Sequence, residues 1–159
     1  MDFSWNEQQS ELSAKTILFA QQELNHTILE RDREGVFNRE LWQKCADFGI
    51  LGACVPTAYG GRGYDVLTGV YQMEALGYGC HDNGLTLALN GQLWAVQEPI
   101  MAFGTEAQKQ YFLPKLVNGT WLGAHGMTEE HSGSDAFSLQ MTATKCAGGY
   151  RLNGRKIYI

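Results

Sequence analysis

The stretch HGMTEEHSGSDA, residues 125–136, separates two parts of the chain that have different hydrophobic periods. Before it, apolar residues recur mostly every three to five positions, which is typical of helices that bury one face. After it, residues 138–144 alternate strictly, with Leu139, Met141 and Ala143 on one face. Such alternation indicates a β-strand. The sequence therefore predicts an α+β fold, in which an all-α N-terminal domain is followed by the first strands of a β-barrel-like domain.

Capping residues and glycines mark the limits of the predicted helices, because they satisfy the free backbone groups at helix ends. We predict helices over residues 6–34, over 38–49, from 65 to 77–79, from 83 to 104 with an interruption at Pro99, and over 105–119. We accordingly place a helical domain at residues 1–120 and the beginning of a β-domain at residues 121–159.

The last ten residues, YRLNGRKIYI, contain Asn153 and Gly154 between two strand-like segments. This dipeptide favours a tight hairpin turn, since both residues tolerate positive φ. The predicted sheet then has too few strands to bury its edges. We therefore expect the chain to be the N-terminal portion of a longer protein, with an incomplete β-domain.

Composition excludes several classes of function. The formal charge of −5, from 17 acidic and 12 basic residues, gives no electrostatic reason to expect nucleic acid or an anionic membrane. The four cysteines form no C-x-x-C pair, which disfavours a zinc knuckle or a disulfide scaffold. No metal site is predicted, because His125 and His131 share no helical face. With no signal-peptide pattern at its start, the chain is predicted to be cytoplasmic.

The stretch of residues 125–136 admits two interpretations of equal weight. Gly126 and Gly133 let the backbone approach a ligand closely, while Thr128, Ser132 and Ser134 offer hydroxyl groups. Together with nearby backbone N–H groups, these suit a polar, phosphate-bearing cofactor at a helix–sheet boundary. A solvated surface loop explains the same residues equally well.

Four ordered motifs resemble the acyl-CoA dehydrogenase family. They are Y-G-G-x-G at residues 59–63, G-T-E-x-Q-K-Q-Y-x-L-P-K-L-x-x-G at 104–119, G-M-T-E-x-x-S-G-S-D at 126–135, and Y-R-L-N-G-R-K-I-Y-I at 150–159. Their order and spacing are more specific than any single motif. The resemblance implies an N-terminal helical domain, the start of a middle β-domain, and FAD held between that β-domain and a C-terminal helical bundle.

The resemblance also implies roles for individual residues. Thr128 would bond the reactive edge of the flavin near N5, Tyr158 would stack beside the ring, and Ser134 would also touch the substrate's carrier arm. The complete set of implied cofactor-binding residues is His125, Gly126, Met127, Thr128, Gly133, Ser134, Tyr158 and Ile159.

Two differences from the family pattern concern the chemistry. Glu130 and His131 stand where the family usually has Pro and Gly, which removes a rigid turn and adds a charge. The family's carboxylate base comes from a part of the protein beyond Ile159, so no catalytic residue is assigned in this chain. Glu129 and Asp135 belong by resemblance to the cofactor wall.

The function implied is FAD-dependent α,β-dehydrogenation of an acyl thioester carried by coenzyme A or by a carrier protein. Trp94 lies about where relatives line the acyl pocket, and there its bulk would favour a small or cyclic acyl group; a position facing the core explains this residue equally well. The alternatives are a flavin-dependent oxidase or monooxygenase of the same superfamily, or a helical interaction module without a cofactor. The electron acceptor stays open, and a homo-oligomer is expected for the full-length protein.

Overall fold

The computed structural model describes residues 4–159, which form two compact units. The first ends at Ala124 and is helical, while the second, His125–Ile159, contains a two-stranded antiparallel sheet. The predicted α+β fold class is confirmed, whereas the domain boundary after residue 120 stays a prediction. No helix among the described residues is both long enough and apolar enough to cross a membrane.

The first unit contains seven α-helices within residues 4–124. They are α1 (Glu7–Glu23), α2 (Ile28–Glu34), α3 (Arg39–Phe48), α4 (Val66–Gly79), α5 (Asn83–Asn90), α6 (Glu98–Phe103) and α7 (Glu106–Val117). Two short 3₁₀ turns, Ile50–Gly52 and Thr57–Tyr59, connect α3 to the loop before α4, and a π-helical segment, Gly91–Gln97, joins α5 to α6.

The predicted helix starts are confirmed where a capping side chain is present. Asn6 and Gln9 form a reciprocal capping box on α1, and Thr105 does the same with Gln108 on α7. Asp65 caps α4 by accepting the Thr68 N–H at 3.0 Å. These contacts join residues three positions apart, so they can be predicted from the local sequence.

The single helix predicted over residues 6–34 is wrong, because the chain breaks between α1 and α2. The Asn25 side chain donates to the Gly79 carbonyl at 2.9 Å and accepts the His81 N–H at 2.8 Å. Two residues later, Thr27 has a left-handed φ of 55°. Asn25 thus bonds the C-terminal end of α4, and this long-range contact outweighs the helical period of the segment.

A hydrophobic core joins the helices of the first unit. Its largest member, Trp42, is 1% exposed, and its indole N–H donates to the Gly119 carbonyl at 3.2 Å. Helix α1 packs closely on α4, since a Cβ added to Gly79 would lie 2.7 Å from the Ile17 carbonyl oxygen and 2.9 Å from Ala20 Cβ. Only a glycine at this position permits such an approach.

The helix predicted from residue 83 contains a π-helical turn that its apolar pattern did not reveal. Within this turn, the buried Gln92 side chain donates to the carbonyls of Leu116 at 2.9 Å and Trp121 at 3.2 Å. It also accepts the Gly123 N–H at 2.8 Å. Gln92 thereby fixes the chain that leaves α7.

The hairpin of the second unit turns at a different place from the one predicted. Strand β1 (Thr142–Cys146) pairs with β2 (Gly149–Asn153), so the two-residue turn is Ala147–Gly148, where Gly148 has φ 81°. The prediction of a turn at Asn153–Gly154 is wrong, because Gly154 is a point of close packing. A Cβ there would lie 2.7 Å from Met141 Cγ.

Candidate functional site

The polar stretch that opens the second unit folds back on itself in a tight turn. Glu129 and Ser132 exchange two backbone hydrogen bonds, at 3.0 and 3.1 Å, which leaves Glu130 and His131 at the tip. Both tip residues are exposed. The two positions that differ from the family pattern therefore lie at the end of the turn, where an extra side chain meets solvent.

A second segment, residues 156–159, runs beside the incoming arm of this turn. The Ile157 N–H donates to the Thr128 carbonyl at 2.9 Å, and Lys156 Nζ donates to the Met127 carbonyl at 2.8 Å. A Cβ on Gly126 would lie 3.5 Å from the Ile159 side chain, an ordinary van der Waals distance. Residues 27 or more positions apart in sequence are thus brought together.

This arrangement unites six of the eight residues predicted to hold the cofactor. They are His125, Gly126, Met127 and Thr128 on one segment, with Tyr158 and Ile159 on the other. Tyr158 is 94% exposed and has a left-handed φ of 57°, which is uncommon for a bulky residue.

The remaining two predicted residues, Gly133 and Ser134, follow the turn on its outgoing arm, and both are exposed. The Ser132 hydroxyl donates to the Asp135 carbonyl at 2.6 Å and thereby fixes this arm. A Cβ on Gly133 would meet no atom within 4 Å, so the space beside its backbone is open.

Two carboxylates of the stretch, those of Glu129 and Asp135, accept hydrogen bonds from residues that follow it in the chain. The hydrogen bond from Lys156, followed by the backbone N–H of Gln140, lowers the pKa of Glu129 against the opposing effect of desolvation. The Asp135 carboxylate accepts the Phe137 N–H at 3.3 Å and the Ser138 hydroxyl. Carboxylates held in this way are poor general bases, since a base must reach the proton it removes.

Lys156 is the residue of this region that sequence reasoning missed. Its side chain is 23% exposed and its Nζ lies 2.7 Å from Glu129 Oε1. The sequence contains only a lysine in an alternating segment, with nothing to mark a partner 27 residues earlier.

Trp94, the residue predicted to limit the acyl group, lies in the π-helical turn of the first unit. Its indole N–H donates to Asn90 Oδ1 at 3.0 Å, and Asn90 in turn donates to the Thr86 carbonyl at 2.9 Å. The ring is half-buried against the core, with its Cη2 atom 3.5 Å from a Cβ placed on Gly69.

Within residues 4–159, no group of three or more His, Cys, Asp or Glu side chains could hold a metal ion. The four cysteines are free thiols.

Comparison with known proteins identifies the family. The profile described as "Acyl-CoA dehydrogenase, N-terminal domain" matches residues 6–120. The chain belongs to the acyl-CoA dehydrogenase family. The resemblance found in the sequence motifs is thus confirmed, and the family accounts for the helical first unit.

Three members of the acyl-CoA dehydrogenase family illustrate the similarity. The short-chain specific acyl-CoA dehydrogenase of Megasphaera elsdenii is 40% identical, over 100% of this chain and 42% of its own length. The crystal structure of the prolyl acyl carrier protein oxidase AnaB is 47% identical, with a TM-score of 0.90 over 96% of this chain and 40% of its own. The chain in a structure of PigA with FAD and proline is 35% identical to this one. The TM-score is 0.93, and the match covers 99% of this chain and 41% of the PigA chain. The chain therefore spans about two fifths of each of these relatives.

Proposed function

We propose that the protein containing this chain is a FAD-dependent dehydrogenase of an acyl thioester. The observation that carries the proposal is the pairing of residues 126–128 with residues 156–159, because most of the predicted cofactor residues belong to these two adjacent segments. The similarity to PigA, a structure of which contains FAD, supports the same cofactor.

The residues of the second unit fit FAD in their chemistry. Thr128 and Ser134 supply hydroxyls, Gly126 and Gly133 supply accessible backbone, and Tyr158 supplies an exposed aromatic ring. The buried carboxylate of residues 125–136, Glu129, is paired with a lysine, so it does not set an uncompensated charge beside an anionic cofactor. When bound, FAD would supply the acceptor for the hydride, and with it the two electrons, removed from the acyl group.

The roles we propose for these residues are binding and orientation. The Thr128 hydroxyl would bond the reactive edge of the flavin, the backbone at His125 and Met127 would contact its ring, and Ile159 would lie with Tyr158 beside it. Gly133 and Ser134 would face the pyrophosphate, with Ser134 also contacting the carrier arm of the substrate. Such groups act by fixing geometry before the reaction begins.

As the acyl group we propose a prolyl residue bound as a thioester to a carrier protein. AnaB is described as a prolyl acyl carrier protein oxidase, and PigA was solved with proline. By the family resemblance Trp94 would line the acyl pocket, where its bulk would favour a small or cyclic acyl group over a long chain. Its ring packs on the core beside Gly69 of α4. A short acyl-CoA is the competing substrate, as the Megasphaera relative indicates.

The first experiment is a visible absorption spectrum of protein made from the complete gene, before and after denaturation. We expect a flavin band that denaturation releases as free FAD. The variant Thr128→Val should alter the band, while Thr144→Val, on the exposed strand β1, should not. A colourless protein that also refuses added FAD would contradict the proposal and favour a helical interaction module.

Turnover assays then separate the substrates. Prolyl-carrier protein, butyryl-CoA and a long-chain acyl-CoA are offered to the holoenzyme with an artificial electron acceptor, and we expect the prolyl thioester to react fastest. Faster turnover of butyryl-CoA would contradict the carrier-bound substrate without affecting the flavin assignment.

An oxidase is the second candidate function, because AnaB, 47% identical to this chain, is described as one. Hydrogen peroxide formed in proportion to product, with oxygen as the sole acceptor, would establish it. Turnover that requires the artificial acceptor would favour the dehydrogenase. Cytoplasmic location and homo-oligomeric assembly stay predictions.

A further inference from the structure

The Glu129 carboxylate connects three separate segments of the second unit. Its side chain is 7% exposed, and it accepts the backbone N–H groups of Gln140 at 2.6 Å and Met141 at 3.2 Å. It also accepts a hydrogen bond from Lys156 Nζ at 2.7 Å. The carboxylate therefore holds the tight turn against the start of the hairpin and against residues 156–159 at the same time.

Lys156 also fixes the orientation of one peptide group, the one between Met127 and Thr128. Its Nζ donates both to Glu129 and to the Met127 carbonyl, at 2.8 Å. Because a peptide unit is planar, fixing the Met127 carbonyl towards Lys156 directs the Thr128 N–H to the opposite side. The next carbonyl, that of Thr128, is held by Ile157. Two consecutive peptide orientations are thus set by the 156–157 segment.

A pair with so little exposure is not explained by stability alone. Burial of an ion pair costs solvation free energy that its attraction only partly returns, so apolar residues often stabilise a fold as well. In some proteins buried charged groups with several hydrogen bonds serve instead to fix one defined geometry. Here that geometry belongs to the two peptides on either side of Thr128.

We propose that the Glu129–Lys156 pair positions the Met127–Thr128 peptide for cofactor binding, so that FAD affinity depends on two residues outside the set that contacts FAD. The proposal rests on the proposed function, because it takes residues 125–128 as part of the flavin site. Glu129 and Lys156 are positioning residues, and neither takes part in the reaction.

The test uses the full-length protein and measures FAD binding directly. Apoprotein of each variant is titrated with FAD, and the dissociation constant, the visible spectrum of bound flavin and the melting temperature of the apoprotein are recorded. The variants are Glu129→Gln, Lys156→Met and Lys156→Arg. Glu130→Gln, which removes an exposed charge from the adjacent position, is the matched control.

We expect Lys156→Met and Glu129→Gln to weaken FAD binding by about ten- to a hundredfold, by analogy with residues that orient the ligands of a metal ion. The spectrum of the remaining bound flavin should shift. Lys156→Arg, which keeps a donor for both oxygens, should recover most of the affinity and the wild-type spectrum. Glu130→Gln should match the wild type.

The outcomes distinguish a failure of the proposed function from a failure of the positioning role. If the wild-type protein binds no FAD, the proposed function fails and this inference fails with it. If wild type binds FAD and both removal variants keep its affinity and spectrum, only the positioning role is wrong, whatever happens to the melting temperature. Where a single variant folds poorly, the uncharged pair Glu129→Gln with Lys156→Gln decides by the same two readouts.

Discussion

Arg31 and Asp82 form a nearly buried ion pair that joins α2 to the start of α5. The guanidinium donates to Asp82 Oδ2 at 2.7 Å, with side-chain exposures of 10% and 21%. Asp82 also caps α5 by accepting the Leu85 N–H at 2.9 Å. Burial of Asp82 acts to raise its pKa, but the hydrogen bonds from Leu85 and Arg31 outweigh it, and the pKa is lowered.

This lowered pKa predicts an acid-dependent loss of stability. An aspartate with a depressed folded-state pKa contributes fully above its unfolded pKa of about 3.9, and the contribution disappears as pH falls through the folded-state pKa. We expect Asp82→Asn to lower the free energy of unfolding by up to about 3 kcal/mol at neutral pH, since it leaves Arg31 without its partner. Asparagine keeps the cap. The deficit relative to wild type should shrink below about pH 4.

Urea unfolding of the full-length protein over a series of pH values measures this deficit. Asp32→Asn, on the exposed side of the helix that carries Arg31, is the control and should stay close to wild type. A deficit that is independent of pH would show that the Asp82 charge is not its cause.

At the scale of single elements, Gly79 and Gly77 provide a matched pair in one helix. A Cβ on Gly79 would meet the backbone of Ile17 and the side chain of Ala20, whereas one on Gly77 would meet no atom within 4 Å. We expect Gly79→Ala to destabilise the protein by about 1–3 kcal/mol, because α1 must move away from α4. Gly77→Ala should stabilise it by about 0.5–1 kcal/mol, since alanine favours a helix interior.

Thermal and urea unfolding of the two variants distinguish packing from helix propensity. If both substitutions had the same sign, close contact between α1 and α4 would not be the determining factor.

Gln92, within the π-helical turn, bonds three backbone groups at and beyond the end of α7. Leucine has a similar volume but bonds none of the three backbone groups that Gln92 satisfies. Each buried group left unpaired costs about 1–3 kcal/mol, so Gln92→Leu should be among the most destabilising single substitutions in the first unit. Gln110→Leu, at an exposed position of α7, should have little effect. A small loss for Gln92→Leu would mean that the turn is maintained by its apolar neighbours.

The elements that sequence analysis predicted well are those set by neighbouring residues. Asn38 and Gly49 bound α3 because their side chain and positive φ act within one turn of the helix. The break at Asn25 and the π-helical turn at Gln92 were missed, since their hydrogen-bond partners lie 54 and 24 residues away. The hairpin was misplaced because Asn153–Gly154 has a turn-like composition but packs on Met141.

The same distinction applies to the candidate site. Its glycines and hydroxyls were visible as a local cluster and gained their significance from the family motifs. The Glu129–Lys156 pair was not predictable, because partner choice across 27 residues depends on how the hairpin returns the chain.

At the scale of the whole chain, the two units differ in how their secondary structure is supported. The first has a core that includes Leu24, Trp42 and Leu76. In the second, residues 125–159, Glu129 and Ser132 are the buried residues, and all ten positions of β1 and β2 are exposed. Backbone hydrogen bonds that lack buried apolar contacts open readily, so the units should differ in local stability.

Amide hydrogen exchange of the 159-residue chain tests this difference. Amides of α4 that face the core should be protected by at least about a thousandfold relative to an unstructured peptide, because they open with the unit as a whole. Amides of β1 and β2 should be protected by less than about a hundredfold, since a two-stranded hairpin is marginal in water. The Ile157 amide, bonded to Thr128 beside the partly buried Lys156, should exchange more slowly than the strand amides.

Equal protection of α4 and the hairpin would mean that the sheet has support from contacts other than those of its own unit. Protection at Ile157 no greater than in the strands would count against a fixed Met127–Thr128 geometry, and so against the basis of the positioning role.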